Sequence, residues 1–313
     1  MKKIEEIAGE HLGKAGDGTA VKPYQTPDHI DASLLVPVPR HLNRTQYNIS
    51  DDDLPFVGWD VWNCYEVSFL TENGYPVSGV LKLSYVSDSD NIVESKSLKL
   101  YLNSFNMVKI KATVKQSISF VTSRVKADLV DILGLRQDEL KVYFHYNEEI
   151  ELPPPAIIGN FVRLETLVDE AELVFESYNE DPSILEYSPM IGYMPYQVTT
   201  NALRSNCRVT NQPDWGDVYI YIDGGDCVTP ESLLQYIVSM RRENHFHEEI
   251  CECIFKRLHD LLGDDTRLLV ACLYTRRGGI DINPVRATDE QLLEEVAPYL
   301  ISATSPHRKT ARQ

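Results

Sequence analysis

The sequence predicts an α+β chain of two similar halves, each an antiparallel β-sheet with a pair of helices packed on one face. Three observations lead there: paired apolar runs separated by turn residues, stretches of helical periodicity after each pair, and the same order in both halves. In the first half, Trp59 to Leu70 and Pro76 to Val86 are rich in Val, Tyr, Phe and Leu, and Glu-Asn-Gly-Tyr-Pro at 72–76 supplies a hairpin turn. Leu98, Tyr101, Leu102 and Phe105 then recur at helical spacing, as do Ile118, Val121, Val125, Leu129 and Ile132 ahead of Gly134, a helix stop. Alternation from Leu140 to Tyr146 adds a strand. In the second half, Tyr196 to Val209 and Asp217 to Ile222 read as strands around the turn Asn-Gln-Pro-Asp-Trp-Gly at 211–216. Thr229 before Pro230 opens a helix with Leu233, Leu234, Ile237 and Val238 on its buried face. A second helix begins near Asn244 with Ile250, Ile254, Leu258 and Leu262 on one stripe, and Arg267 to Thr275 with Ile280 to Ile282 form a hairpin around Gly278-Gly279.

The halves span residues 31–150 and 191–304, and the joining stretch 151–190 carries Leu-Pro-Pro-Pro at 152–155 and many acids, which suits a connection. Residues 1–30 and 305–313 are polar and without periodicity, so both are expected to be flexible ends. A length of 313 residues agrees with two domains. The net charge of −17 argues against binding a nucleic-acid backbone. The longest apolar run, Leu268 to Tyr274, falls far short of the roughly 18 residues a helical membrane span needs. Met1-Lys2-Lys3 is followed at once by Glu5 and Glu6 rather than an apolar signal core, and the six cysteines form no C-x-x-C pair. The expectation is a cytoplasmic protein with reduced thiols.

Cys207 lies near the end of Leu-Arg-Ser-Asn-Cys-Arg-Val-Thr, just before a turn, and Asp214 follows seven residues later. A carboxylate beside a thiol opposes thiolate formation, so Asp214 makes sense as a proton carrier rather than an electrostatic activator. Such a pair suits attack on an electrophilic carbon whose heteroatom must be protonated; spacing alone favours a structural Cys and a turn-forming Asp. His245, His247, Glu248, Glu249, Cys251 and Cys253 crowd a helix start, yet H-E-x-x-H would require His where Cys251 stands, so no metal site is expected. Glu248 can instead accept two hydrogen bonds from an amino-amidine edge such as that of guanine, and His247 can donate to a ring oxygen or move a proton. An ordinary acid-rich first turn accounts for the same residues. Lys96 and Lys99 lie where a helix dipole disfavours cations, which a phosphate would explain, although a solvated lysine face is the commoner arrangement. Arg276 and Arg277 beside Gly278-Gly279 suit a phosphate as well.

Four blocks, Glu94 to Asn106, Leu203 to Gly216, Asn244 to Phe255 and Tyr274 to Pro284, together resemble the 7-cyano-7-deazaguanine reductases, NADPH-dependent nitrile reductases of queuosine biosynthesis, in their long two-domain form. The resemblance implies tandem tunnelling-fold domains, with the family's cofactor signature in the first and its nucleophile in the second. It places the nucleophile on Cys207 and the proton donor on Asp214. Base recognition would fall on Val93, Glu94, Ser95, His247 and Glu248, and NADPH contacts on Ser95, Lys96, Arg277 and Gly278. His247 is the candidate for later proton delivery. The implied reaction takes 7-cyano-7-deazaguanine to the aminomethyl compound through a covalent thioimide, without metal, in a homodimer. The N-terminal segment is longer than the family needs, and Asp223 to Thr229 carries an extra residue. The alternatives are an amidine-forming or hydrolytic relative using the same Cys, and a non-catalytic 7-deazapurine-binding protein.

Overall fold

A computed structural model of the chain describes residues 27–146, 152–169, 171–190 and 194–313. Most of the expected flexible segment 1–30 therefore lies outside the described residues. The first half contains β1 (Pro37–Pro39), α1 (His41–Arg44), β2 (Val57–Leu70), β3 (Pro76–Val86), β4 (Asn91–Val93), α2 (Ser95–Asn103), α3 (Val114–Leu133) and β5 (Leu140–His145). The connection contributes β6 (Val162–Arg163) and β7 (Tyr187–Pro189). The second half contains β8 (Tyr196–Thr200), β9 (Arg204–Cys207), β10 (Pro213–Asp223), β11 (Asp226–Val228), α4 (Pro230–Ser239), β12 (Asn244–His245) and α5 (His247–Leu262). It closes with β13 (Arg267–Tyr274), β14 (Ile280–Ala287), α6 (Glu290–Val296) and α7 (Pro298–Ile301).

The fold is α+β. One ten-stranded sheet runs β12-β9-β10-β13-β14-β2-β3-β5, with β8 also on β10 and β6 on β8. Its pairings are antiparallel except for the short β12–β9 and β6–β8 contacts. The expected hairpin of the first half is present with the expected bounds to within two residues. Helix α3 is capped by Thr113 and stopped by Gly134, whose φ of 72° is a left-handed conformation that glycine adopts without strain. The expected strand from Tyr196 to Val209 is broken: β8 and β9 lie end to end along β10, and Thr200 turns its hydroxyl to the Ala202 N–H between them. The turn expected at 211–216 sits earlier, because β10 already starts at Pro213 and Asn211 takes the left-handed conformation at φ 55°.

Alternation along the central strands divides the core into layers. Leu268, Val270, Cys272 and Tyr274 of β13 face α4 and α5, while Trp62 and Cys64 of β2 face α2 and α3. Leu269, Ala271 and Leu273 face the other way, with Trp59, Val61, Val285 and Ala287. Sequence reading put helices on one face only. In the structure α6 and α7 cover the opposite face through Leu292, Leu293, Val296 and Leu300, with Ala156 and Ile157 of the connection beside them. A strand buried on both faces reads as a continuous apolar run, as Leu268 to Tyr274 does.

The tail 305–313, expected to be flexible, is hydrogen-bonded to this second face. Buried Lys82 donates to the carbonyls of Tyr299 and Ser305 at 3.0 and 2.9 Å, Lys309 reaches buried Asp281 at 3.3 Å, and Gln313 bonds Asn283 at 2.6 Å. A polar tail that satisfies buried charges has the same composition as one that meets only water, which is why periodicity did not distinguish them. No helix among the described residues is long and apolar enough to cross a membrane.

Between the halves lies a buried charge cluster. Arg286 is ion-paired with Asp60 Oδ1 at 2.8 Å and hydrogen-bonded to Glu252 Oε1 at 2.8 Å, and Arg44 holds both oxygens of Glu252 at 2.9 and 2.8 Å. Arg40 bonds the second oxygen of Asp60. Burial alone would raise the Glu252 carboxyl, but Arg286 and Arg44 hold it down at about 2. Removing one member leaves the others charged and dry. Glu252→Ala should lower the unfolding free energy by about 3–5 kcal/mol in urea titrations at neutral pH. The native pKa lies below the ordinary 4.5, so this contribution is complete above 4.5 and fades as pH falls toward 2. The gap between wild type and variant should narrow over that interval.

Candidate active site

The ten candidate residues from the sequence, namely Val93, Glu94, Ser95, Lys96, Cys207, Asp214, His247, Glu248, Arg277 and Gly278, all line one cavity of about 330 Å³. Both halves contribute to its lining. From the first come the β4–α2 junction and Trp62; from the second come the end of β9, the start of β10, the start of α5 and the β13–β14 turn.

Cys207 is the last residue of β9, and its N–H donates to the Gln212 carbonyl at 2.8 Å across the loop that follows. Burial works to raise its thiol pKa, but the Thr210 hydroxyl and the N–H groups of Thr210 and Val209 outweigh it, so the pKa lies below the ordinary value. The Asp214 charge opposes this, as expected for a proton carrier rather than an activator. The other five cysteines are buried.

Asp214 stands at the start of β10, nearly enclosed. Burial pushes its carboxyl up, yet His247 and Arg277 prevail and hold it below the usual carboxylate range. Arg277 Nη1 bonds Asp214 Oδ1, while its other terminal nitrogen reaches Gln212 at 3.0 Å and Thr210 at 3.3 Å. His247 Nε2 stands 3.4 Å from Asp214 Oδ2, and its ring stacks on Tyr274 with centroids 3.8 Å apart. Its Nδ1 is buried without a hydrogen-bond partner among the described residues.

Glu248, in the first turn of α5, is 2 % exposed, and its Oε1 likewise lacks a partner among the described residues. Burial first, then the charge of Asp60, pushes its carboxyl up to about 8, with Arg40 and Arg286 pulling the other way. Glu94 is in a different situation. It caps α2, with Oε1 accepting the Lys96 N–H at 3.0 Å and Oε2 the Ser97 N–H at 2.7 Å. The negative group at this helix start, where sequence reasoning put a phosphate, is thus the chain's own carboxylate. Lys99 is also engaged, with the Gly278 carbonyl at 2.6 Å and Glu66 at 3.2 Å. Lys96 remains exposed at the same helix start.

Several lining residues escaped sequence reasoning, among them Trp62, Thr210, Gln212 and Phe246. Phe246 sits between His245 and His247, a position that could have flagged it; Trp62 alternates like any strand residue and sends no such signal. His245, considered only as a metal ligand, is held by Glu249 at 2.8 Å, Tyr47 at 2.7 Å and Glu243 at 3.1 Å. Burial disfavours its charged ring, but the bonds to Glu243 and Glu249 raise its pKa to about 9. Among the described residues no group of His, Cys, Asp or Glu is arranged to hold a metal ion.

The second half contributes a cysteine, a carboxylate and a histidine, and the first contributes a capped helix start with the exposed cation of Lys96, an arrangement suited to an enzyme of two-domain build. Comparison with family models gives the class: residues 26–137 match the N-terminal model of "Nitrile reductase, 7-cyano-7-deazaguanine-reductase", and residues 213–292 match the model "QueF-like protein". The chain belongs to the 7-cyano-7-deazaguanine reductase family.

Iodoacetamide near neutral pH should label Cys207 first, seen as one adduct by intact-mass spectrometry and absent in Cys207→Ala. Arg277→Ala removes the guanidinium that interacts with the Cys207 anion and should slow labelling by a few fold.

Proposed function

We propose that the chain reduces the nitrile of 7-cyano-7-deazaguanine to the aminomethyl group with NADPH, through a covalent thioimide on Cys207. The observation that carries this reading is the pairing, in one cavity, of a thiol whose pKa is drawn below its ordinary value with a buried carboxyl oxygen of Glu248 that has no partner among the described residues. An amino-amidine edge has two N–H donors for such a carboxylate, and holding the base there leaves its far side toward the thiol. Glu94 shares this edge: its oxygens accept one backbone N–H each and retain a lone pair apiece.

In the covalent step Cys207 Sγ bonds to the nitrile carbon, one π pair moves to nitrogen, and nitrogen takes a proton. Asp214 is ionised before substrate arrives, so it acts as a relay: it receives the thiol proton and hands it to nitrogen. Arg277 and His247 fix the carboxylate for that transfer. His247, supported on Tyr274 and with a spare ring nitrogen, is placed to deliver a later proton. NADPH bound at Ser95, Lys96, Arg277 and Gly278 would supply a hydride twice per nitrile. The residues there fit a polyanion: Lys96 is exposed, and a Cβ on Gly278 would come within 3.2 Å of the Lys99 ammonium. The buried Glu248 and Asp214 end of the cavity would retain the half-reduced base and limit its contact with water. The family likeness further supports tunnelling-fold halves, a homodimer and a place in queuosine biosynthesis as parts of the same reading.

Mixing the protein with 7-cyano-7-deazaguanine should give a Cys207 adduct by mass spectrometry, and adding NADPH should oxidise two equivalents per nitrile. An adduct without NADPH oxidation would replace this reading with a hydrolytic or amidine-forming one, and tight binding without either would leave a binding protein. Cys207→Ala should lose turnover by at least about a thousandfold while keeping affinity for the base within a few fold.

Proton release gives a second check. With its pKa near 8 in the free protein, Glu248 is mostly protonated at pH 7, and N–H donors from the base favour its ionised form. Base binding to Cys207→Ala should therefore release close to one proton at pH 7 and almost none well above pH 8, measured by calorimetry in buffers of different ionisation enthalpy. Glu248→Gln should abolish the release and weaken binding by roughly ten- to a hundredfold.

A further inference from the structure

Trp62 is wholly buried in β2, directly opposite Ile282 of β14 and Leu83 of β3, and is among the residues around the cavity that Cys207 and Glu248 line. A buried indole N–H normally finds an acceptor, because leaving a donor dry costs its full desolvation. The Nε1 of Trp62 has none among the described residues. Around the cavity there are thus an orphaned donor from the first half and an orphaned carboxyl oxygen, Glu248 Oε1, from the second. A ligand that satisfies both must carry an acceptor atom as well as N–H groups on one rigid frame.

We propose that the Trp62 indole N–H is a specificity-determining donor to the ring oxo group of the bound base, an acceptor distinct from the N–H groups taken by Glu248. This deepens the proposed function and rests on it. The donor sits on a strand in the middle of the sheet, held by neighbours on both sides, so it cannot follow a ligand that lacks the acceptor. Such a base leaves the indole N–H buried and unpaired, which is how a polar pocket rejects near-isosteres.

The test uses the full-length chain in the Cys207→Ala background and two probes, 7-cyano-7-deazaguanine and its analogue with hydrogen in place of the ring oxo group. Trp62→Phe keeps an aromatic ring and removes the N–H. It should weaken 7-cyano-7-deazaguanine by roughly tenfold while changing the affinity of the deoxo analogue by less than about twofold. In the otherwise wild-type enzyme, Trp62→Phe should raise KM with kcat nearly unchanged. Equal affinity of Trp62→Phe and its parent for 7-cyano-7-deazaguanine, or equal weakening of both probes, would overturn the proposal while leaving the nitrile reductase reading intact. Failure of the parent to bind 7-cyano-7-deazaguanine would remove that reading and this inference with it. A second readout needs no stable variant: among the indole N–H resonances of Trp59, Trp62 and Trp215, that of Trp62 should move downfield and exchange more slowly when the base binds. An unchanged Trp62 resonance in saturated protein would equally overturn the proposal.

Discussion

The pairing of β2 with β14 is the constraint on which the rest of the structure depends. Its register, from Ile280 opposite Cys64 to Ala287 opposite Val57, joins the halves in one sheet and decides which side chains meet. Side chains alternate, so a slip of one residue would send Trp62 to the face of α6 and α7 and bring Val61 to the cavity face. The same pairing sets Arg286 opposite Gly58, where a Cβ would stand 2.2 Å from the Val285 carbonyl oxygen and 2.8 Å from the arginine side chain. Gly58 is needed for space, not for an unusual backbone angle. Arg286 then closes a cluster in which charges pair across the halves as well as within them: Arg44 with Glu252 and Asp60 with Arg286 across, Arg40 with Asp60 and Arg286 with Glu252 within.

This cluster lies directly behind the site. Glu248 and Glu252 are one helical turn apart on α5, so the same helix carries a carboxylate locked among arginines and one left without a partner. Their environments separate them widely in acidity: Glu252 is drawn down by Arg286 and Arg44, Glu248 is pushed up by burial and by Asp60. A residue satisfied by the fold stabilises it, and one left wanting is available to a ligand. Across the cavity, Cys207 and Asp214 form a comparable contrast, the thiol drawn toward its anion by local N–H groups and the carboxylate kept anionic by Arg277 and His247.

The sequence revealed the local elements well and their long-range partners poorly. Helix α3 and the first hairpin were legible because caps, glycine stops and alternation act over a few residues. The break between β8 and β9 was not, since it depends on how both align along β10. The chemistry-bearing residues were legible mainly through the joint pattern of four blocks, because Cys207, Glu94 and Arg277 are each unremarkable alone. Arg40, Arg44 and Asp60 gave no sign of burial: a charge in a polar stretch reads the same whether solvated or matched by a partner two hundred residues away. Trp62 was hidden for the converse reason, since an apolar residue in an alternating strand reads as core.

Both walls of the cavity belong to a single polypeptide, and this frees them from symmetry. A cleft between two identical subunits repeats each residue on both sides of a twofold axis, so a change that improves one wall is imposed wherever its copy sits. Here the wall carrying Cys207 and Glu248 and the wall carrying Glu94 and Lys96 are encoded by different stretches of chain. Each can drift, specialise or lose its counterpart's features independently. The cleft is also present at any dilution, since its assembly depends on folding of one chain rather than on the encounter of two.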